Sequence, residues 1–435
     1  MTDTPHIAPV GRADQPVSGT RVSDTRVSDT RVSDTRVSDT RVSDTRVSDT
    51  RVIATVSAAH FVSHYYTLIL APLFAFVRAD YGVTYTELGI ALAAYNLVSG
   101  ALQTPAGFLV DRIGARNVLV AGLTIGAVAF AVVGMVDSFP VLVAMFALAG
   151  VGNTVYHPAD YTILSQQVRP ARAAQAFSIH TFAGMLGSAL APTTLVLLQG
   201  AIGWRGAFLA AAGVGLAVAG VIALQRDGTP LPAKPDREAD SDAAVGWPLL
   251  LSPVILLNLA YFALMSFGSA GMQNFTVVGL DALFGTPFGV ASSGLTAYLM
   301  LTALGVLAGG FFAGRVTHHA LPVVAGMTAV AACAVTIGLV DLGGVALTLV
   351  LGLAGFMMGF QMPSRDLIVR AVTPPGSFGK VFGFVSTGPN VAWAVAPLVF
   401  GQLMDRGHPQ AVFMVIAASC ALAIFTVLFA SLRRR

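Results

Sequence analysis

The chain has 435 residues, of which 55% are hydrophobic and 11% charged, with a formal net charge of +3 and a mean hydropathy of +0.74. A soluble globular domain carries about a quarter charged residues, so a water-soluble fold is excluded and an all-α membrane protein is expected. The long apolar runs show no strand alternation, which argues against a transmembrane barrel. Cys333 and Cys420 each sit inside an apolar run and offer neither a disulfide framework nor metal-ligand spacing. The basic residues fall in short loops, where they set membrane orientation, and no nucleic-acid partner is expected.

In chain order, residues 1–51 come first, with the unit VSDTR repeating from Val17 to Arg51. That repeat has no apolar face at either regular period, so a disordered cytoplasmic tail is expected. Twelve membrane helices follow, each having enough apolar residues to cross a bilayer, which takes about 20. Six fall near 52–77, 86–110, 117–136, 139–166, 172–198 and 203–224. Six more fall near 249–280, 289–313, 320–341, 343–371, 377–403 and 410–432. A cytoplasmic linker at 225–248, rich in Pro, Asp and Arg, separates an N-terminal bundle (52–224) from a C-terminal bundle (249–432), and 433–435 form a basic cytoplasmic end.

The two bundles repeat each other. LAGVGNTVYHPAD begins at Leu148 and LAGFMMGFQMPSR at Leu353; at that offset Pro158 matches Pro363 and Pro192 matches Pro397. At a slightly shorter offset Tyr95 matches Tyr298, Gly107 matches Gly310 and Arg112 matches Arg315. Two pseudo-symmetric six-helix bundles predict a transporter architecture with its site between the halves, near the membrane midplane. Arginine and lysine concentrate in the loops on the side of the termini, which predicts a multi-pass protein of the inner membrane with both termini cytoplasmic.

Ionisable groups interrupt this apolar background. Asn153, His157 and Asp160 are spaced four and three apart in helix 4, and Ser57, His60, His64 and Thr67 repeat the device in helix 1. A charge at the centre of a membrane helix costs roughly 2.5–3.5 kcal/mol on insertion scales, so these faces should meet water or a partner. The offset of the repeat places Arg365 of helix 10 opposite Asp160. A pair across the pseudo-two-fold axis, closing the cytoplasmic end, is therefore expected, with the arginines of the helix 2–3 loop as the rival partners of Asp160. His64, His157, Asp160 and His60 are the candidates for proton coupling. Asn96, Gln103, Asn153, Arg365, Gln273, Asn274 and Trp393 are the candidates for a substrate cavity. His180 in helix 5 ranks below them.

GFLVDRIGARNVL, at 107–119 between helices 2 and 3, closely resembles the signature loop of the major facilitator superfamily. The resemblance implies a conformational switch built from Gly107, Asp111, Arg112, Gly114 and Arg116, in which the glycine lets two helices approach. The second-half copy keeps Gly310 and Arg315. AHFVSHYYTLILAPL in helix 1, LVSGALQTPAGFLVDR in helix 2 and GVGNTVYHPAD in helix 4 are similar to the fosmidomycin-resistance branch, whose members are efflux proteins. What that implies is a secondary transporter exporting a small organic compound against proton entry. A proton-linked uptake symporter for a small organic anion, with Arg365 binding the anion, is the second reading, and a non-transporting receptor or scaffold the third. No Walker loop or nucleophile–base constellation is evident, so neither an enzyme nor an ATP-driven pump is expected. The expected partners are a small-molecule substrate, protons and the lipid bilayer, with no cofactor beyond the proton gradient, and the chain is expected to act as a monomer.

Overall fold

The computed structural model describes residues 48–225, 247–313, 315–316, 318–374, 381 and 384–432. The VSDTR tail, most of the linker and the basic end lie outside the described residues. Every regular element among those described is helical. The first half comprises α1 (Asp49–Thr67), a short 3-10 turn (Ala71–Leu73), α2 (Phe74–Tyr81), α3 (Tyr85–Ile113), α4 (Ala115–Met135), α5 (Phe139–Asn153), α6 (Tyr156–Gln167) and α7 (Pro170–Leu224). The second comprises α8 (Trp247–Leu250), α9 (Pro253–Phe284), α10 (Phe288–Ala313), α11 (Ala320–Leu339), α12 (Gly344–Phe360), α13 (Met362–Val372), α14 (Thr387–Asp405) and α15 (Pro409–Leu432).

Nine helical segments among the described residues are long and apolar enough to cross a membrane. One of them is α7, whose 55 residues would extend roughly 80 Å at the usual helical rise, far beyond the ~30 Å of a bilayer core. It breaks at Gly203, whose φ of 73° and ψ of 166° lie outside the helical region, and so counts as two crossings. With α3 and α14 alongside, the arrangement agrees with twelve. α1 starts at Asp49, ahead of the expected Val52, because the Ser48 hydroxyl accepts from the Arg51 amide and caps it.

Helices 4 and 10 of the sequence each divide in two at equivalent places. α5 gives way to α6 at Thr154–Val155, four residues ahead of Pro158, and α12 gives way to α13 at Gln361, just ahead of Pro363. In each case the proline lacks the N–H that would bond the carbonyl four residues back. The repeat also survives in the packing. A Cβ on Gly150 would lie 2.5 Å from the Tyr95 carbonyl oxygen, and one on Gly355 would lie 2.0 Å from that of Tyr298.

α10 and α12 pack backbone to backbone. Gly305 and Gly309 of α10 face the carbonyls of Phe356 and Phe360, and Gly355 and Gly359 of α12 face those of Tyr298 and Thr302. Small residues four apart allow this approach, which apolar burial alone does not drive in lipid. A Cβ on Gly359 would stand 2.0 Å from the Thr302 oxygen. Gly359→Val is therefore expected to destabilise the C-terminal bundle by about 1–3 kcal/mol, read as a lower melting temperature of the purified protein.

The halves meet at the end of the bundle away from the start of α1. The Asp405 carboxylate at the end of α14 accepts from the backbone amides of Tyr85 (2.7 Å) and Thr86 (2.8 Å) and from the Thr86 hydroxyl (2.5 Å). Phe74 packs on Phe275 and Phe76 on Phe288. Thr193 and Thr296 share a hydrogen bond of 2.8 Å. Toward the end where α1 begins, the tip of α3 is exposed at Phe108, Leu109 and Ile113. A cavity runs between the halves above these far-end contacts.

Candidate functional site

The cavity encloses about 590 Å³ and is lined from both halves. The first half contributes His64, Asn96, Gln103, Asn153 and His157, and the second contributes Gln273, Arg365, Asn390 and Trp393, among others. All the expected cavity residues except Asn274 reach it. Asn274 is buried and donates to the Ala270 carbonyl at 2.8 Å; it lies one residue from Gln273 and so faces another side of α9. Much of the polar lining is already braced. Asn153 donates to Ser99 Oγ, Gln273 to Ser269 Oγ and Asn96 to the Leu92 carbonyl, each at 2.8 Å. Among the described residues the lining holds one guanidinium, two imidazoles and no carboxylate, the partner of that guanidinium, Asp366, lying outside the lining.

Arg365 is seated rather than dangling. Its Nε donates to Asp366 Oδ1 at 2.9 Å, its plane lies 4.1 Å over the Phe262 ring, and its Nη1 reaches only the Met265 sulfur, at 3.4 Å. The expected Asp160–Arg365 pair is not formed in this conformation. Asp160 is fully buried within the N-terminal bundle, 3.7 Å from His180 Nε2. The reason is helical direction: Asp160 points from α6 toward α7, whereas Arg365 points from α13 into the cavity. Of the rival partners, Arg112 is exposed and Arg116 is engaged elsewhere. Arg116 binds the carbonyls of Ile222, Ala223 and Gln225 at the end of α7, where a cation complements the helix dipole.

Behind His64 and His157 lies a cluster of rings. His60 stacks on His180 at 3.8 Å and meets His64 edge-on at 4.6 Å and His157 at 5.6 Å. His60 is thus inside the bundle, not at its surface. Gly184 makes room for it: a Cβ there would stand 2.6 Å from the His60 ring and 2.9 Å from that of His64. His180, which the sequence reading ranked below the others, belongs to this cluster. Its signal was an ionisable residue midway along an apolar stretch, four residues before a glycine.

The switch loop has a different aspect. Asp111, Arg112 and Gly114 are exposed. Among the described residues nothing lies within 4 Å of where a Gly107 Cβ would stand, and Gly310 has only Pro363 at that limit. The close approach expected of these glycines is therefore absent while this end of the molecule is open. Arg315 donates to the Phe311 carbonyl at 2.8 Å. Gly314, which stands in the second copy where Asp111 stands in the first, lies outside the described residues.

The description "Major Facilitator Superfamily" matches residues 56–351 and 263–435, which together take in nearly the whole helical region. The chain belongs to the major facilitator superfamily. Within it, a stretch of 149 residues is 30% identical to a probable sulfoacetate transporter of Cupriavidus necator, covering 34% of each chain. Another stretch is 27% identical over 143 residues to a probable L-galactonate transporter of Escherichia coli, covering 33% of this chain and 32% of that one. A fosmidomycin resistance protein of Escherichia coli is 20% identical over 157 residues, covering 35% of this chain and 38% of that one. The matches to these curated relatives span about a third of their length. Among solved structures, a bacterial homologue of the human lysosomal transporter Spinster, in an inward-facing and unoccupied conformation, superposes with a TM-score of 0.71 at 15% identity over 88% of this chain and 95% of that one. The superfamily's fold follows from the family match and agrees with the architecture described above.

Proposed function

We propose that the chain is a proton-coupled secondary transporter of a small polar organic anion, working by alternating access as a monomer in the inner membrane. The conformation described opens to the cytoplasm, on the side that the basic loops and both termini mark. The observation that carries the reading is the cavity lining: Arg365 reaches into a cavity shared with His64 and His157, and among the described residues no carboxylate lines it, Asp366 holding the guanidinium from outside. Galactonate and sulfoacetate, named for two relatives, are anions of the required kind. An anion in the cavity and a proton held by the buried ionisable groups in or beside it attract each other through a low-dielectric interior, so each raises the affinity for the other. Positive coupling of that sign drives both in the same direction, which makes the protein a symporter. Export against entering protons is the second reading, favoured by the similarity of helices 1, 2 and 4 to the fosmidomycin-resistance branch.

The test is uptake into proteoliposomes of labelled galactonate, sulfoacetate and fosmidomycin, with a neutral sugar and a cationic dye as controls. Accumulation of at least one anion under an inward proton gradient, abolished by a protonophore, is expected. Transport confined to the cationic dye or the sugar would refute the anion reading.

A further inference from the structure

We infer that the buried pair of Asp160 and His180, outside the substrate cavity, is where the coupled proton resides, and that His60 connects it to the cavity. This rests on the coupling proposed above and adds the site that performs it. Both side chains of the pair are fully buried. Among the described residues neither carboxylate oxygen of Asp160 and neither ring nitrogen of His180 has a hydrogen-bond partner, and their closest approach is 3.7 Å. A bare carboxylate with no donor is among the least favourable groups to enclose. One proton cures this in either of two placements: on the carboxyl beside a neutral imidazole, or on the imidazole beside the carboxylate. The pair therefore holds one proton as a unit, and its release needs the conformation in which water reaches it.

His60 bridges the pair and the cavity. His60 Nδ1 lies 2.9 Å from the His180 carbonyl oxygen. A carbonyl only accepts, so Nδ1 carries the hydrogen and the neutral ring's lone pair is on Nε2. That Nε2 is buried and unpartnered, ready to take a proton. The His60 ring stacks on His180 on one side and meets His64 and His157, both lining the cavity, on the other. A proton taken up by His64 or His157 passes to His60 Nε2. His60 then gives up the hydrogen on Nδ1 as His180 reorients, and the proton arrives at the pair.

The titratable groups around the pair come from every neighbouring element. α1 contributes His60 and His64, and α6 contributes Tyr156, His157 and Tyr161, the Tyr161 ring lying 5.9 Å from that of His180. α1 also contributes Tyr66, whose hydroxyl donates to the Ala211 carbonyl at 3.0 Å, and α3 contributes Tyr95, whose hydroxyl is paired with Thr67 at 3.3 Å. α4 offers only Arg116, at its start. No three of the described His, Cys, Asp or Glu side chains converge as a metal would require, so the cluster suits a proton rather than a cation.

The experiment compares the parent, Asp160→Asn, His180→Gln and Asp160→Glu in proteoliposomes, using the anion that the parent accumulates best. Two rates are measured: accumulation driven by a proton gradient, and counterflow, which exchanges substrate without net proton movement. For the parent, accumulation should rise by up to about tenfold per pH unit of gradient for each coupled proton. Asp160→Asn and His180→Gln should lose all accumulation yet keep counterflow within about twofold. Asp160→Glu, which still titrates, should keep part of both. Gradient-driven accumulation surviving in Asp160→Asn or His180→Gln would overturn the site while leaving proton coupling intact. Loss of counterflow in all three variants would mean a structural role and overturn it equally. A parent indifferent to the gradient would refute the coupling itself, and this site with it.

Discussion

Replacing Arg365 with glutamine is expected to weaken binding of the transported anion by about 2–4 kcal/mol, roughly 30- to 1,000-fold, the usual cost of removing one partner of a desolvated charge pair. The guanidinium is held by Phe262 and Asp366, and its Nη1 faces only the weak thioether acceptor of Met265. A substrate carboxylate or sulfonate arriving there gains a fixed donor without displacing a strong one. Asp366 is about half exposed, so it stays hydrated when its partner is removed and the fold should survive. Arg365→Lys keeps the charge but not the planar fork, so an intermediate affinity is expected. Titration calorimetry on the purified protein checks both. Unchanged affinity in Arg365→Gln would move the anion to the imidazoles.

Asp405→Ala is expected to shift the molecule toward the state open at the far end. The first amides of α3 have no partner within their own helix. Thr84 and Glu87 satisfy part of that need with a capping box, and Asp405 satisfies the rest from the other half of the protein. This clamp also places an anion at a helix N-terminus, where the dipole favours it. Close contacts surround it: a Cβ on Gly89 would lie 2.5 Å from the Pro397 carbonyl oxygen, and one on Gly401 2.8 Å from that of Tyr85. Losing charge-assisted bonds at a surface of this kind costs about 2 kcal/mol, roughly thirtyfold in the ratio of the two conformations. Distances between spin labels at the far ends of α3 and α14 report it. An unchanged distribution would mean that the aromatic contacts alone hold the far end closed. Because Asp405 lies far from the cavity, the variant should alter rates and conformational populations but not the order of substrate preference.

Much of this was legible in the sequence, and for identifiable reasons. Apolar runs of membrane length mark the helices, and the internal repeat marks the halves because the same contacts recur, as Gly150 on Tyr95 and Gly355 on Tyr298 do. His60, His64 and His157 stood out because each interrupts an apolar run at helical spacing. What the sequence did not convey was direction around a helix. Asp160 and Arg365 occupy matching positions, yet one turns into its own bundle and the other into the cavity. His180 ranked lower because helix 5 was not among the helices expected to line the cavity; Met185 and Ser188 of that helix do reach it, but His180 stands one layer behind, where only its stacking on His60 reveals it. At the repeat offset, His157 corresponds to Met362 and His180 to Val385. The histidine and acid cluster therefore belongs to one half alone, and no internal comparison could have suggested it.

The most direct test of the central claim, that anion and proton travel together, uses proteoliposomes loaded with a pH-sensitive dye and no imposed gradient. A saturating pulse of the accumulated anion is added outside, with potassium and valinomycin clamping the membrane potential. Acidification of the lumen in step with anion entry is expected, and it should vanish in Arg365→Gln. Alkalinisation of the lumen on the same addition would show protons leaving as the anion enters, and would contradict the account.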